Sequence, residues 1–398
     1  MVAGSSADGG RPGHGGTPGP LDGITVVELG GFIAGPFAGQ LLGDYGARVI
    51  KVEPPDGDPM RRWGVMRDGT GLWWPSLARN KESICLDLHD PADQETAREL
   101  CARADIVLEN FAPGRLDGWG LDYARLAGRH PGVIVVHVSG FGQTGPRAGD
   151  RGFGSVGEAM GGLRGLAGFP DRPPVRFGVS LGDALAGLFA VNGALAALAE
   201  RRRSGLGQEV DVALYESVFA VTESLLADYE IAGVTRARSG SSLPGVAPSN
   251  AYPTADGHDI IIAANGDALF PRLCAAMGRP ELAADPAYAT HLARGASAAA
   301  LDELISDWTA SLPAAQVEQA LDEHGVPRGR IYDPADILAD AQYAARDMII
   351  RMGAEGLDRP VPMPGVVPRF SRTPGQVRRT GPTLDADGPA IRRDLAGG

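Results

Sequence analysis

One carboxylate in the sequence stands where a nucleophile could be held. Asp183 follows the turn Ser180–Gly182 and opens a long segment rich in Ala, Leu, Gly and Val, which predicts a helix over residues 182–203. A helix N-terminus favours an ionised carboxylate because unpaired N–H groups and the helix dipole make it positive. Asp183 is therefore an N-cap or a carboxylate nucleophile that forms an acyl intermediate, and spacing alone leaves both open.

A glycine-rich turn links the first predicted strand to the first predicted helix. Residues 30–39, GGFIAGPFAG, could turn backbone N–H groups toward a phosphate. Glu53 ends the second strand, where a nicotinamide enzyme would place its ribose-binding acid. The glycine spacing is not that of the GxGxxG fingerprint, however, and no GK[ST] follows. Close helix–strand packing is the simpler interpretation, and a nicotinamide dehydrogenase is kept as an alternative.

Other features of the sequence argue against several classes of protein. The histidines have no HxxxH spacing, and His137 lies inside an apolar strand, as a satisfied core histidine would. The net charge of −12 argues against broad binding to nucleic acid or anionic membranes.

Cysteine usage and the lack of targeting segments predict the compartment of the protein. Three cysteines without CxxC spacing suit a reducing cytoplasm and predict no zinc cluster. We find no uncharged apolar run long enough to span a bilayer, and residues 1–23 lack the apolar core of a signal peptide. We therefore expect a cytoplasmic protein that does not bind membranes.

The elements that must position these residues follow an α/β pattern. Strand, turn, helix and strand succeed one another within residues 24–53, which predicts parallel pairing with a right-handed crossover, and the pattern recurs. Apolar residues make up 43% of the chain, enough for a substantial core. We predict strands at residues 24–29, 48–53, 83–87, 105–109, 133–138, 208–212 and 259–263, and helices at 34–45, 91–104, 182–203, 214–229, 268–277 and 298–311.

A series of short motifs resembles the family III CoA-transferases, also called the CaiB/BaiF group. The resemblance runs from Leu21 to the C-terminus, and its specificity lies in the number of motifs that occur in order. These are LDG at 21–23, VVEL at 26–29, AGP at 34–36, GARVIKVEPP at 46–55, NK at 80–81, ENFAPG at 109–114, SGFGQTGP at 139–146, GD at 182–183 and SGLGQ at 204–208.

The resemblance implies an architecture and a mechanism. It implies a large Rossmann-like domain with a mostly parallel sheet, a smaller α+β domain and an interlocked, ring-like homodimer. It also implies that Asp183 attacks an acyl-CoA thioester and carries CoA, as an aspartyl-CoA thioester, to a small acceptor carboxylate. Coenzyme A is then a substrate, no permanently bound cofactor or metal is expected, and succinyl-CoA with a dicarboxylate is the suggested pair.

Segment boundaries combine this resemblance with composition. Residues 1–20 form a Gly/Pro/Ser-rich tail that we expect to be disordered. Residues 21–225 are the N-terminal part of the large CoA-binding domain, and residues 226–330 are the small domain, near whose start the composition shifts to Ser, Gly, Pro and Arg. Residues 331–398 return to the large domain and end in a C-terminal tail without strong periodicity.

The resemblance also places contacts with CoA. Asn110 and Phe111 fall in the stretch that holds the pantetheine and adenine end, and Leu86 and His89 lie where a family Leu and Lys approach the nucleotide. Pro54 replaces a CoA-binding Arg of some members. The positive charge that this Arg would bring to CoA could come from Arg115, Lys81 or Arg61 instead.

Further residues are placed near the nucleophile. Arg151 matches a family Lys that contacts CoA there. Phe153 and Ile33 replace a Tyr and a Gln of the formyl-CoA branch, and these replacements argue against formyl-CoA and oxalate as the substrate pair. A loop with Gly240, Ser241, Ser242 and Gly245 matches a glycine loop over the active site. Basic residues that could read a second carboxylate are Arg151, Arg176 and Arg238.

Two alternatives remain beside the transferase. The same fold hosts 2-methylacyl-CoA racemases and epimerases, which need a second base, a His, opposite the Asp. Phe153 occupies that position here, and a phenyl ring accepts no proton. A non-catalytic acyl-CoA-binding protein would bind CoA esters without exchanging their acyl groups.

Overall fold

The computed structural model describes residues 17–397 of the chain. The strands alternate with helices in the first half of the chain and are short. They are β1 Thr25–Glu28, β2 Arg48–Glu53, β3 Met66–Arg67, β4 Thr70–Gly71, β5 Lys81–Cys85, β6 Ile106–Glu109, β7 Ile134–Ser139, β8 Glu209–Ala213, β9 Ser249–Pro253, β10 Asp259–Ala263, β11 Arg328–Arg330, β12 Ile349–Met352 and β13 Val361–Pro364.

The helices include one long member, α8. They are α1 Ala34–Asp44, α2 Trp74–Leu77, α3 Pro91–Ala102, α4 Arg115–Trp119, α5 Tyr123–Arg129, α6 Gly154–Met160, α7 Leu163–Leu166, α8 Leu181–Ser204, α9 Leu214–Phe219, α10 Leu225–Ala232, α11 Phe270–Ala276, α12 His291–Ala296, α13 Ala298–Ala310, α14 Ala314–Glu323, α15 Pro334–Ala339, α16 Ala341–Ala345 and α17 Gly388–Ala396. Two short 3-10 helices cover Pro59–Arg62 and Pro280–Ala284.

Six strands form a fully parallel sheet in the order β5-β2-β1-β6-β7-β8. The mixed α/β class with a large parallel sheet is therefore confirmed, and small antiparallel sheets accompany it. The chain leaves β1 toward β2 on one side and returns to β6 on the other. The carboxyl ends of β1 and β6 thus form a topological switch point, where open α/β sheets bind ligands.

Both faces of this sheet are covered, as parallel sheets require. On one face, α1 and α8 pack with Val26, Ile106 and Val136 into a single core. On the other, α3 and α5 pack with Val27 and Val107 into a second core. Neighbouring residues of one strand point to opposite cores, so the apolar runs at residues 24–29 and 105–109 reflect burial on both sides.

The described residues divide into two compact units. The first comprises residues up to 162, residues 177–223 and residues from 344, and it holds the parallel sheet. The second comprises residues 163–176 and 224–343. Its three-stranded antiparallel sheet, in the order β11-β10-β9, packs with helices such as α11, α13 and α14 around a core of its own.

Helix α8 is the longest helix among residues 17–397 and carries Asp183 in its first turn. By length and composition it is also the one described helix apolar enough to cross a membrane. It is longer at each end than the predicted 182–203, and its contacts with β7, β8 and α1 are those of a core helix. Small residues such as Ala186, Ala190 and Ala194 fill that contact.

Three other expectations differ from the structure. The single helix predicted at 214–229 is two helices, α9 and α10, separated near Glu223, whose φ of 56° interrupts a helix. The C-terminal segment contains the helix α17. Of the tail expected to be disordered, residues 1–16 lie outside the described residues, while Gly19 approaches the Tyr45 carbonyl so closely that a Cβ would lie 2.3 Å from the oxygen.

His137 of β7 is a buried and fully engaged histidine, as its place in an apolar strand predicted. Its Nδ1 lies 2.6 Å from Glu109 Oε1, and its Nε2 lies 3.2 Å from Glu209 Oε1. Burial opposes the charged imidazole, but hydrogen bonds and charge attraction from the two carboxylates outweigh it and raise the pKa of His137. The His137 side chain therefore links β7 to β6 and β8.

We predict that His137→Gln loses stability in a pH-dependent way. Because the folded-state pKa is raised, the stabilisation is complete below the unfolded value near 6.5 and is lost as pH rises through the folded pKa. At about pH 6 the variant should unfold about 1.5–3 kcal/mol more easily in urea, and the difference should shrink at about pH 9. His89→Gln, at an exposed histidine, should change little; an equal loss at both pH values would show that His137 is not charged.

Candidate active site

Asp183 lies in the first turn of α8, against the start of α6. A Cβ placed on Gly154 would lie 2.1 Å from Asp183 Oδ2, so the carboxylate rests directly on the glycine backbone. Beside it, the backbone N–H of Gly182 donates to Oε1 of the fully buried Glu158, at 3.3 Å. The carboxylate is half-buried. It is thus held at a helix N-terminus with one side closed by α6.

The packing of α8 on α1 brings Asp183 toward the switch point. A Cβ on Gly187 would lie 3.0 Å from the Ala34 carbonyl oxygen and 2.9 Å from the Phe37 ring, so the two helices touch at the start of α1. Asp183 is four residues before Gly187 and therefore on the same face of α8, one turn nearer its N-terminus. This places the carboxylate beside the loop that enters α1.

Asn110 fixes that loop at the switch point. Its Nδ2 donates to the Gly31 carbonyl at 2.7 Å, and its Oδ1 accepts from the Gly31 N–H at 3.0 Å. The Leu29 N–H also donates to the Leu108 carbonyl at 2.7 Å. The carboxyl ends of β1 and β6 are therefore joined by backbone and side-chain hydrogen bonds, and the loop is rigid where a ligand would enter.

A buried ion cluster lies beneath the loop. Lys51 Nζ lies 2.9 Å from Glu28 Oε1 and 2.8 Å from Asp58 Oδ2, and Lys81 Nζ lies 2.7 Å from Glu28 Oε2. All four side chains are at most 1% exposed. Lys51 also donates to the Gly30 carbonyl at 3.1 Å. We call Glu28, Lys51, Asp58 and Lys81 the charge cluster.

The charges of this cluster depend on one another. Burial raises the pKa of Glu28, but the ammonium groups of Lys81 and Lys51 outweigh it and hold that pKa below its usual range. Burial likewise opposes the charge of Lys51, yet Glu28 and Asp58 raise its pKa. For Lys81, burial prevails and lowers the pKa. Removing one partner would leave an uncompensated buried charge, which costs about 3–5 kcal/mol.

The buried partners of Lys81 and Arg61 correct the expectation that either residue supplies a phosphate contact. Lys81 is fully buried and bound to Glu28 and to the Pro36 carbonyl. Arg61 makes a bidentate contact with buried Glu53, with both N–O distances at 2.7 Å. The sequence did not reveal these partners because each pair joins residues on different elements.

The other residues proposed to contact CoA lie after β5 and β6. His89 is exposed, whereas the side chain of Leu86 is buried in the core. Phe111 packs edge-on against Trp119 at 5.1 Å, and the guanidinium of Arg115 lies 4.8 Å from the same ring. Arg115 also lines a cavity of about 80 Å³ together with Glu109 and His137. The exposed Arg115 and the half-buried Phe111 thus follow β6, and both pack on the buried Trp119 ring.

Arg151 is an exposed residue of the first unit, two residues before Phe153. The ring of Phe153 contacts that of Phe32, which lies in the loop before α1. Phe153 is 58% exposed, and its side chain has no group that accepts a proton. The residue at the position of a racemase's second base therefore contributes an apolar surface.

The second unit contains the loop with Gly240, Ser241, Ser242 and Gly245. Gly240 has a φ of 69°, and its N–H donates to the Gly168 carbonyl at 3.0 Å. Ser241 is hydrogen-bonded to Asn250. Arg238, a candidate for reading a second carboxylate, instead donates to the carbonyls of residues 169, 170 and 172. The structure does not support a role for Arg238 in binding a second carboxylate, because its guanidinium already donates to three backbone carbonyls.

Several site residues were missed from the sequence. Gly154 follows Phe153 in the chain but gave no signal of its own, since its role is to let Asp183 approach. Glu158 and Asp58 are acidic residues that become buried only in the folded chain. In the sequence alone, Phe32 and Trp63 are indistinguishable from ordinary apolar residues. Their signal, an aromatic beside a glycine-rich turn, is too common to identify a site.

The arrangement suits chemistry at a carboxylate. An ionised Asp183 at a helix N-terminus is a nucleophile for an activated acyl group, and peptide N–H groups nearby can receive developing negative charge. The loop at the switch point, where open α/β sheets bind ligands, lies beside it. Among residues 17–397, no group of three or more His, Cys, Asp and Glu side chains is arranged to hold a metal ion.

Known proteins of similar sequence and structure cover almost the whole chain. The family model described as CoA-transferase family III matches residues 21–388. A succinyl-CoA–D-citramalate CoA-transferase of Chloroflexus aurantiacus is 54% identical over 382 residues, which cover 96% of this chain and 95% of the relative. The alpha subunit of a succinyl-CoA–L-malate CoA-transferase of the same species is 39% identical, over 96% of this chain and 90% of its own.

Solved structures agree with these matches. A CaiB/BaiF family protein from Brucella suis has a TM-score of 0.84 and 38% identity, with coverage of 95% of this chain and 100% of its own. The sequence motifs, the parallel sheet with its switch point and these similarities lead to one conclusion. The chain belongs to CoA-transferase family III and is a CoA-transferase.

Proposed function

We propose that the protein transfers CoA from succinyl-CoA to a small dicarboxylic acid, with Asp183 as the nucleophile. The observation that carries this proposal is the Asp183 carboxylate, held on Gly154 at the N-terminus of α8 and beside the switch-point loop. The names of the relatives support the substrate class, since two of them act on succinyl-CoA with D-citramalate or L-malate.

The reaction proceeds through two exchanges at Asp183. A carboxylate oxygen of Asp183 attacks the thioester carbonyl carbon, and CoA leaves as a thiolate, which gives a mixed anhydride. The thiolate then attacks the Asp183 carbonyl carbon, which gives an aspartyl-CoA thioester and releases the donor acid. The acceptor carboxylate then attacks the carbonyl carbon of the aspartyl-CoA thioester and expels CoA thiolate, which gives a second mixed anhydride. The thiolate attacks the acceptor's carbonyl carbon in this anhydride, so that a new acyl-CoA forms and free Asp183 is regenerated.

The chain's task is to hold these species together and exclude water. The α8 N-terminus stabilises the carboxylate between exchanges, and α6 shields one side of it. Hydrolysis of the anhydride or the aspartyl thioester would waste the activated acyl group, so a dry site is needed. From the family resemblance, we propose the loop with Gly240, Ser241, Ser242 and Gly245 as a substrate loop.

CoA lies along the carboxyl ends of β1, β5 and β6 in this proposal. Its contacts include Asn110 and Phe111, and Arg115 and Arg151 supply positive charge. The backbone near Leu86 and the exposed His89 lie toward the nucleotide. The exposed guanidinium of Arg115 supports this path, because it lies after β6 and can pair with a phosphate of the nucleotide.

Assembly and location belong to the same proposal. The protein acts as an interlocked homodimer, which is supported by large apolar side chains left exposed on the single chain, such as Leu188 at 50% and Ile231 at 86%. It acts in the cytoplasm, away from membranes and nucleic acid. The free thiols of Cys85, Cys101 and Cys274 support a reducing compartment.

The central experiment is isotope exchange between succinyl-CoA and carbon-13 succinate. The wild type should form labelled succinyl-CoA, and Asp183→Ala should lower the rate at least about 10³-fold, because the covalent route is lost. Glu200→Gln, an exposed carboxylate on the same helix, is the matched control and should exchange normally. A panel of dicarboxylic acids then identifies the acceptor by mass spectrometry of new CoA esters.

Each alternative predicts a different result in that experiment. A racemase would exchange the α-proton of a 2-methylacyl-CoA with deuterated solvent while CoA stays on its acid. A non-catalytic binding protein would bind succinyl-CoA without forming labelled ester. Unchanged exchange in Asp183→Ala would remove Asp183 from the mechanism.

We also predict that Gly154→Ala impairs the reaction with little effect on folding. The new methyl group must displace the Asp183 carboxylate, and a misplacement of about 1 Å costs roughly 10²-fold in rate. Isotope exchange should fall by that factor, while the thermal midpoint should move little, since only a side chain must shift. Gly149→Ala, where no atom lies within 4 Å of the new Cβ, is the control. A wild-type rate in Gly154→Ala would contradict the assigned geometry.

A further inference from the structure

The fully buried carboxylate of Glu158 caps a helix on which it does not lie. Glu158 belongs to α6, and its Oε1 accepts the backbone N–H of Gly182, in the first turn of α8, at 3.3 Å. Such an N–H has no partner within its own helix, and a serine at the N-cap position usually accepts one of these groups. Ser180 occupies that position in α8, yet its side chain makes no cap hydrogen bond. The N-terminus of α8 is therefore capped from the neighbouring helix.

Gly154 and Glu158 together hold the start of α8. They are four residues apart and therefore lie on one face of α6. Gly154 supports the Asp183 carboxylate, while Glu158 holds the N–H of the residue before it. A Cβ on Gly182 would lie 2.8 Å from the Gly154 carbonyl oxygen and 3.1 Å from Glu158 Cγ, so only glycine fits there without displacing them. Asp183 and the residue that precedes it are thus both fixed against α6.

The position of α6 is itself fixed by further close contacts. A Cβ on Gly157 would lie 2.9 Å from the Leu214 Cβ, so α6 packs directly on α9. Just before α6, a Cβ on Gly140 would lie 2.7 Å from the Gly152 Cα, so the chain that enters α6 rests on the residue that follows β7. Because α6 is held in these places, the Glu158 carboxylate holds the N–H of α8 at a defined point.

We propose that Glu158 is a positioning residue of the transferase reaction. By holding the Gly182 N–H, its carboxylate fixes the first turn of α8 and aligns the Asp183 carboxylate for attack on the thioester. The inference rests on the proposed function, because it takes Asp183 as the nucleophile. It requires a hydrogen-bond acceptor at the position of Glu158 Oε1, and an amide oxygen meets that requirement as well as a carboxylate oxygen does.

A cap from another helix suits a nucleophile that loses its charge in every turnover. In the proposed reaction, Asp183 is a free carboxylate at the start and an uncharged anhydride or thioester in the intermediates. An acylated Asp183 offers the N-terminus of α8 no negative charge, which is what a helix N-terminus favours. Glu158 is not acylated and keeps its bond to Gly182 throughout. The first turn of α8 therefore keeps its geometry while CoA and the two acids exchange.

Three substitutions of Glu158 separate its hydrogen bond from its charge. Glu158→Gln removes the charge and keeps an acceptor of the same reach. Glu158→Asp keeps the charge but withdraws the oxygen by about 1.5 Å, the length of one carbon–carbon bond. Glu158→Leu fills the space and offers no acceptor. Isotope exchange between succinyl-CoA and carbon-13 succinate gives kcat and KM for each variant, and thermal unfolding gives the midpoint.

Glu158→Gln should retain the activity that the other two variants lose. Its kcat should stay within about threefold of the wild type, whereas Glu158→Asp should lower kcat at least about tenfold and Glu158→Leu about 10²-fold, because the nucleophile is misplaced. KM for succinyl-CoA should change less than about threefold in all three, since the contacts proposed for CoA are untouched. Glu200→Leu, which removes a carboxylate from the C-terminal end of the same helix, is the control and should exchange normally.

The outcomes separate this inference from the proposed function. A wild-type kcat in Glu158→Asp and Glu158→Leu, or an equal loss in Glu158→Gln and Glu158→Asp, would overturn the inference alone. A kcat that only follows the thermal midpoint would overturn it too, since Glu158 would then serve the fold and not the reaction. If Glu158→Leu does not fold, the comparison of Glu158→Gln with Glu158→Asp decides. Normal exchange in Asp183→Ala would overturn the proposed mechanism, and this inference with it.

Discussion

The carboxylate of Glu28 lies between the ammonium groups of Lys51 and Lys81, and the geometry of the site depends on this buried contact. Glu28 and Lys51 are direct neighbours across β1 and β2, so the pairing of the strands brings the charges together. Lys51 extends the cluster to Asp58 and the Gly30 carbonyl. None of these groups reaches solvent, so each needs its partners to remain charged. The loops above the strands are therefore fixed as firmly as the sheet itself.

Two independent constraints then meet at the Asp183 carboxylate. The charge cluster and Asn110 position the loop at the switch point, whereas close packing of α8 on α1 positions Asp183. The ring contact between Phe32 and Phe153 connects the two, because Phe32 comes from the loop and Phe153 directly precedes α6. A carboxylate that is ionised, partly shielded and surrounded by rigid surfaces can exchange acyl groups without admitting water freely. This is what a CoA-transferase requires.

Much of this architecture could be predicted from the sequence, and the reasons are local. The strands Arg48–Glu53 and Asp259–Ala263 were predicted with the bounds that the structure shows, because short apolar runs with clear breakers mark them. The family, and Asp183 as its candidate nucleophile, were predicted from a series of short motifs that occur in the family's order. The single helix predicted at 214–229 failed because the left-handed Glu223 has no sequence signature. Lys81 was mistaken for a phosphate ligand because its partner Glu28 is distant in sequence. Gly154 was missed because Asp183, the residue it contacts, is likewise distant in sequence.

The measurement that tests the account most directly follows oxygen rather than CoA. The enzyme completes a turnover with succinyl-CoA and an acceptor acid whose carboxylates carry oxygen-18, and the peptide containing Asp183 is then analysed by mass spectrometry. If Asp183 forms an anhydride with the acceptor, one acceptor oxygen remains on its carboxylate when CoA thiolate removes the acyl group. We therefore expect a single replacement of oxygen-16 by oxygen-18 at Asp183. An unlabelled Asp183 after productive turnover would contradict covalent catalysis at this residue.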